Sequence, residues 1–290
     1  MRFAYLILAH SSFDLLKELI KVLDDPDNDI YIHFDSKIGD IDYTQFKITH
    51  FSDICFIDKR VDVAWGRVSL VEATLNLLEE AVKGNYNYYH LLSGVDLPIK
   101  SNEYIKNFFS KEEGMEFIGI SSLFNESTYL HRVGRYHLID GNKVRKSRLW
   151  RKLNDLLLFL QTIFNIRHIR NVERIKGGPE WFSITNDLAK DLLKQKKDIL
   201  ENFKYTLCSD ELFIQTFVWN SDCKYKLYNN GDEYNGCMRM INWERGNPYT
   251  WEDKDFDELM QSPYLFARKF SEKDMKIVKR ICDAISKGNN

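Results

Sequence analysis

Phe3 to Ala9 is an unbroken apolar run, the pattern of a strand buried on both faces. The apolar period then changes: Leu15, Leu16, Leu19, Ile20 and Leu23 share one side of a helix over Phe13 to Leu23. The Asp/Asn/Pro cluster of residues 24–29 marks a turn, and Ile30-Tyr31-Ile32-His33-Phe34 predicts a second strand ending at Asp35. Cys55 to Ile57 reads as a third strand, Arg67 to Val82 as a helix with Leu70, Val71, Leu75, Leu78 and Val82 on one face, and Tyr88 to Leu92 as the next strand. Strands alternating with helices predict an α/β fold with a mostly parallel sheet flanked by helices.

The second half is less regular. Met115 to Ile120 and Trp181 to Ile184 read as strands; Asp187 to Lys196, Glu211 to Trp219, Trp251 to Met260 and Ser271 to Ser286 read as helices. No internal repeat and no Pro/Gly/Ser-rich linker interrupts the chain, so a single domain over residues 1–290 is expected. In parallel sheets ligands bind beyond the carboxyl ends of the strands, which directs attention to His10, Asp35 and the Ser93-Gly94-Val95-Asp96 loop.

With 44% hydrophobic and 29% charged residues, disorder and a small disulfide scaffold are excluded. Lys plus Arg number 41 against 43 Asp plus Glu, so a net charge of −2 gives no reason to expect a nucleic-acid partner. Five scattered cysteines without CxxC spacing argue for a reducing compartment. The opening apolar run lacks a small-residue cleavage site, and no segment approaches the length of a membrane span, so a cytoplasmic protein is expected, peripheral to a membrane at most. One segment departs from the balance. Between Lys143 and Lys176, ten Lys/Arg, among them Arg170, face only Asp155 and Glu173 and flank the apolar stretch Leu149 to Phe164. That stretch is expected either to pack into the core or against a second subunit, or to touch an anionic membrane or a lipid-linked acceptor.

The turn Ala9-His10-Ser11-Ser12-Phe13 has no glycine, so a dinucleotide-binding GxGxxG turn is absent; Walker, HExxH and GxSxG motifs are absent too. A metal-dependent sugar-nucleotide transferase would show Asp-x-Asp at a strand end. The pairs Asp25/Asp27, Asp27/Asp29, Asp40/Asp42, Asp253/Asp255 and Asp255/Asp257 sit mostly in turn-like or helical surface sequence, so no metal is expected and a diphosphate would need cationic side chains instead.

Seven segments in order, Tyr5-Leu6-Ile7-Leu8-Ala9-His10, Ile32-His33-Phe34-Asp35, Ala64-Trp65-Gly66-Arg67, the run from His90 to Lys100, Gly177-Gly178-Pro179-Glu180-Trp181-Phe182, Ser209-Asp210-Glu211 and Phe266-Ala267-Arg268-Lys269-Phe270, carry a resemblance across nearly the whole chain. The chain resembles core-2/I-branching β-1,6-N-acetylglucosaminyltransferases and peptide O-xylosyltransferases, glycosyltransferase family 14. The resemblance implies a GT-A-like (Rossmann-like) fold with a nucleotide-binding half over about residues 1–120 and an acceptor and diphosphate half over about 121–290. It also implies inverting transfer from a UDP-sugar to a glycan hydroxyl, without cofactor or metal.

By resemblance Glu211 is the general base, and Arg268, Lys269 and Arg239 hold the leaving diphosphate. His10 and Asp35 line the uridine pocket, and Asp96 and Trp181 contact sugar or acceptor. Alternative roles are a helix-terminal carboxylate for Glu211, salt bridging for the cations, a turn for Asp96 and core filling for Trp181; Trp65 is expected to pack under the Gly66 turn. UDP-N-acetylglucosamine is the expected donor, UDP-xylose the alternative; a non-catalytic sugar-nucleotide or glycan-binding module on the same fold is the competing class. Few cysteines and an opening strand resemble a bare bacterial-type catalytic domain, working on a lipid-linked glycan at the inner membrane face.

Overall fold

The computed structural model describes residues 1–122, 126–139, 141–169 and 174–288; Arg170 and Glu173 of the basic segment lie outside the described residues. A six-stranded sheet organises the chain. Strand β1 (Phe3–Ala9) is followed by α1 (Phe13–Leu23), β2 (Asn28–Phe34), β3 (Ile54–Phe56), α2 (Ser69–Ala81) and β4 (Tyr88–Ser93). Strands β3, β2, β1 and β4 lie side by side and parallel, in registers that set Ala9 opposite Phe34 and Leu8 opposite Ser93. The chain therefore leaves β1, β2 and β4 at one edge.

Every residue of β1 is buried, and its alternate positions feed two cores. Tyr5, Ile7 and Ala9 face Leu15, Leu16, Leu19, Ile20 and Leu23 of α1, whereas Ala4, Leu6 and Leu8 face Val71, Leu75 and Leu78 of α2. Burying each such large aliphatic side chain contributes about 1.5–3 kcal/mol, so helices on both faces follow directly from a strand with no polar side.

The later elements complete both layers. Strand β5 (Leu97–Pro98), α3 (Asn102–Lys111), β6 (Phe117–Ile118), α4 (Glu126–Arg132), α5 (Gly141–Lys146), α6 (Arg148–Ile163), β7 (Phe182–Thr185), α7 (Asn186–Lys194), α8 (Lys196–Phe203) and α9 (Phe213–Trp219) come first. Then follow β8 (Arg239–Ile241), α10 (Phe256–Gln261), β9 (Phe266–Arg268) and α11 (Met275–Ser286). Strand β7 joins β4 antiparallel and β6 pairs antiparallel with β7 at that edge, so of the two strands expected in the second half only β7 runs against the rest of the sheet. A small second sheet, β5-β9-β8, was not anticipated. The last helix buries Ile277, Val278, Ile281, Cys282 and Ile285 in the same core as α1, which ties the end of the chain to its beginning.

Three local expectations are corrected. The helix expected from Glu211 begins at Phe213, because left-handed Cys208 (φ 51°) and non-helical Leu212 (φ −132°, ψ −36°) confine residues 209–211 to a 3-10 turn, and no side chain caps the helix. Trp65 is 47% exposed rather than packed under Gly66, with the Arg145 guanidinium 4.6 Å from its ring centroid. The stretch Leu149 to Phe164 does not enter the core: within α6 only Leu158 and Gln161 are buried. Among the described residues no helix is long and apolar enough to cross a membrane.

A sharp steric demand lies where residues 177–179 cross the end of β6. A Cβ on Gly178 would sit 2.1 Å from the carbonyl oxygen of Gly119, with backbone on both sides of the clash. Gly178→Ala is therefore expected to cost on the order of 3 kcal/mol in urea unfolding. Gly114→Ala, which meets only the strain of its φ of 85° in open space, should cost about 1 kcal/mol. Equal midpoints for the two variants would contradict the packing described here.

Candidate active site

The carboxyl edge of the parallel strands carries the first group of candidates. His10 follows β1 and is exposed. Asp35 follows β2 and is buried; its Oδ1 accepts the Lys37 N–H at 2.9 Å, and its Oδ2 lies 3.7 Å from the Lys37 ammonium. Asp96 stands beyond β4, accepting the Ser93 N–H at 2.7 Å and the Ser93 hydroxyl at 2.8 Å, so it closes its own turn as the turn reading expected. Its Oδ1 also faces Arg268 Nε at 3.7 Å. The turn role and a site role thus coexist in one carboxylate.

Backbone contacts bring the second group to the same place. The Gly178 N–H donates to the Glu211 carbonyl at 3.0 Å, and the buried Gln215 amide donates to the Pro179 carbonyl at 2.7 Å and the Gly119 carbonyl at 3.3 Å. The 209–211 turn is fixed in its turn by the Cys208 N–H, which donates to the Gly66 carbonyl at 3.0 Å. Gly66 adopts φ 68°, and a Cβ there would also press on Leu207, so the glycine is required twice. Segments separated by more than a hundred residues thereby hold Glu180, Asp210 and Glu211 together.

These carboxyls are electrostatically strained. Burial pushes the Glu180 carboxyl well above its ordinary range, and Asp210, Glu211 and Asp96 push it further while Arg268 pulls it back. Burial, then the neighbouring Glu211, raises Asp210 in the same direction. Both residues are half-buried as a whole, yet Glu180 Oε1 and Asp210 Oδ1 are shielded from solvent and have no hydrogen-bond partner among the described residues. Shielded carboxyl oxygens without donors are uncommon in folded chains and mark a site that awaits one. Glu211 differs: its Oε2 pairs with Arg132 of α4 at 2.5 Å.

The cations divide by environment. Arg268 stacks on the Trp181 ring, 3.9 Å from its centroid, and its Nη1 is buried with no acceptor. Trp181 is 7% exposed and gives one face to Arg268, so its contact with this cation is more evident than any open face for a sugar. Lys269 follows, its backbone anchored to Tyr249 and Trp251, and among the described residues its ammonium has no hydrogen-bond or ion-pair partner. Arg239 is turned inward. Its guanidinium donates to the carbonyls of Cys237 (2.8 Å) and Phe182 (2.9 Å) and to the Ser183 hydroxyl (3.0 Å), lies 4.2 Å from the Phe266 ring centroid, and is pushed down to about 10 by burial. The structure thus groups Asp96, Trp181, Glu211 and Arg268, sets His10 and Asp35 on the same edge, and places Arg239 within the scaffold beneath them.

The Asp-x-Asp pairs are engaged elsewhere. Asp25 and Asp27 both pair with Lys106, Asp29 with Arg2, and Asp253 with Lys276 and Arg280; Asp255 meets Arg245, and Asp42 caps a 3-10 turn. A cleft of about 440 Å³ opens next to the end of β2, lined by Lys37, Asp62, Asn142, Lys143, Lys146 and Trp150. Glu180 and Asp210 lie within the matching motifs, but the sequence suggests no role for Glu180 and only that of a helix cap for Asp210. A local signal existed, an acidic residue in an otherwise small and aromatic Gly-Gly-Pro-Glu-Trp-Phe segment, but their mutual approach is a tertiary fact.

Known proteins similar to this chain include xylosyltransferases. Xylosyltransferase 2 of Rattus norvegicus is 24% identical over 294 residues, covering 93% of this chain and 32% of that protein. Xylosyltransferase 1 of Homo sapiens is 23% identical over 291 residues, covering 93% of this chain and 29% of that one. The chain thus spans about a third of the length of these curated relatives. Among solved structures, apo mouse xyloside xylosyltransferase 1 matches 92% of this chain and 97% of its own at a TM-score of 0.40 and 9% identity. Staphylococcus aureus TarS 1-349 in complex with UDP-GlcNAc matches 69% of this chain and 48% of its own at 0.34 and 10%. The model of the Core-2/I-branching enzyme family matches residues 3–276, and the chain belongs to that family of glycosyltransferases.

Proposed function

We propose that the chain transfers a sugar from a UDP-sugar to a hydroxyl of a glycan acceptor with inversion at the anomeric carbon. The observation that carries this reading is the cluster of Glu180, Asp210 and Glu211 facing Arg268, whose Nη1 donor is unused, at the carboxyl edge of the parallel strands. The acceptor oxygen attacks the anomeric carbon as a carboxylate takes its proton, and the bond to the β-phosphate breaks on the opposite face with its electron pair leaving on UDP. Arg268 and Lys269 hold that developing charge by charge-assisted hydrogen bonds, a role that requires no metal. His10 and Asp35 receive the nucleoside, and Asp96 orients Arg268. Arg239 supports the site from below, since both of its Nη groups already have partners.

Glu211 is the general base in this reading, held in place by Arg132. A second reading makes Glu180 the base, favoured by its shielded, unpartnered oxygen. For the donor, the names of the curated relatives put UDP-xylose ahead of UDP-N-acetylglucosamine, the donor first expected, and the acceptor is a glycan carried on a lipid. Glu211→Gln should lower kcat by about a hundredfold or more with UDP affinity unchanged, whereas Glu180→Gln should lower it less; the reverse ranking assigns the base to Glu180. Arg268→Ala and Lys269→Ala should each weaken UDP binding about tenfold or more, and EDTA should leave the rate with UDP-xylose or UDP-N-acetylglucosamine unchanged. Donor turnover absent from every variant and from the wild type alike would leave only a binding module.

Crowding the carboxyls also has a stability consequence. Glu180 and Asp210 titrate above their unfolded value of about 4, so between that value and their folded ones the native chain holds more protons than the unfolded chain. Stability therefore falls as pH rises through this window. Glu116, raised to about 7 by burial although Thr185 hydrogen-bonds it, adds a slope of the same sign. Glu180→Gln or Asp210→Asn should flatten the slope and raise the unfolding free energy near pH 8 on the order of 1 kcal/mol, while lowering activity. Urea denaturation at about pH 5 and about pH 8 reads the sign; variants less stable than wild type at the higher pH would refute the strain.

A further inference from the structure

Helix α6 is attached to the protein by its less apolar side. Leu158 and Gln161 are its buried residues, and the Gln161 amide exchanges hydrogen bonds with the backbone N–H and carbonyl of Tyr136 at 2.7 and 2.9 Å. On the opposite side Leu149, Leu153, Leu156, Leu160 and Ile163 form one continuous stripe, bordered by Phe159 and Phe164, with exposures from 36% to 74%. Single exposed leucines are ordinary, but a contiguous apolar stripe marks an interaction surface. Arg148, Arg151 and Lys152 of the same helix are exposed, and between Gly141 and Ile169 seven Lys/Arg stand against Asp155 alone.

We propose that α6 is an interfacial membrane-binding helix, lying in the headgroup region of an anionic leaflet with its Leu/Ile/Phe stripe turned toward the acyl chains. At about 24 Å it is laid along the surface rather than across it, in keeping with the absence of a membrane-crossing helix among the described residues. The charges select the occupant. The 4-3-4-3 spacing of the stripe would also suit a second copy of α6, but that copy would bring the same cations with only Asp155 to oppose them. A bilayer rich in anionic lipid satisfies stripe and cations together. Trp150, from the first turn of α6, lines the cleft that also contains Lys37, two residues beyond Asp35, so the bound helix would hold the carboxyl edge close to the surface. Only that last consequence, delivery of a lipid-carried acceptor, rests on the transferase reading; membrane binding does not.

Flotation with vesicles tests the proposal on the full chain. Wild-type protein should float with phosphatidylcholine vesicles containing one third phosphatidylglycerol, stay behind with pure phosphatidylcholine, and release when salt is raised. The combined variant Leu149→Ser, Leu156→Ser, Ile163→Ser should lose flotation while keeping its melting temperature and UDP binding. Arg148→Ser with Lys152→Ser should lower the partition coefficient about tenfold or more. A readout needing no altered core is quenching of Trp150 by brominated phosphatidylglycerol, which should disappear in Trp150→Phe. Wild-type protein that ignores anionic vesicles overturns the proposal, and so does a dimer in sedimentation velocity that becomes monomeric in the serine variant without ever binding lipid, which would assign the stripe to a second copy.

Discussion

Two hydrogen bonds, from the Gly178 N–H to the Glu211 carbonyl and from the Gln215 amide to the Pro179 carbonyl, force acidic residues into one place against their own repulsion. Carboxylates brought together and shielded from water resist ionisation, and the chain offsets that resistance with backbone geometry and two arginines. The supporting contacts reach far along the chain: Gly66 holds Cys208, Cys208 sets the 209–211 turn, and that turn holds Gly178. Gly178 in turn fits only because it has no side chain to meet the Gly119 carbonyl. The Trp-Gly-Arg, Gly-Gly-Pro-Glu-Trp and Ser-Asp-Glu segments look unrelated in sequence, yet they form one mechanical unit. Such strain is retained where it prepares a reaction, and it is the physical reason to regard this edge as the working one.

The sequence was most legible where burial follows a local period. Strands β1, β2 and β4 and helices α1, α2 and α11 are runs whose apolar spacing alone fixes what faces the core, and the structure places them close to where the pattern did. Legibility fails for β5, β8 and β9, each two or three residues long and defined by partners rather than by composition. It also fails at Glu211, which the apolar period of residues 213–218 drew into a helix although non-helical Leu212 separates the two. Glu180 and Asp210 lay in plain view, but thirty residues apart, and only the crossing at Gly178 makes them neighbours.

Helix α6 shows the limit of inference from apolar content alone. Leu149 to Phe164 carries enough leucine, isoleucine and phenylalanine to be taken for core, but its attachment runs through Leu158 and a glutamine that must reach the Tyr136 backbone. The hydrophobic effect is non-directional, so the sequence shows only that the stripe must be covered and not by what. Here the flanking cations are more informative than the leucines, because they name the sign of whatever lies outside.

Arg239 and Arg268 illustrate the converse, since both were assigned to the same ligand on sequence grounds. Parallel pairing of β8 with β9 sets Arg239 against Phe266 and Ile241 against Arg268, so the two arginines leave the small sheet at opposite ends of one short ladder. Arg239 arrives at carbonyls of Phe182 and Cys237 and the Ser183 hydroxyl, which take up both of its Nη groups and leave only Nε without an acceptor. Arg268 arrives between an indole face and a distant carboxylate, with one donor left over. A guanidinium whose Nη groups both bond to its own chain is a strut, and one held flat with an Nη group to spare is a receptor for an anion. Residue type is shared, and function follows from the acceptors each side chain finds.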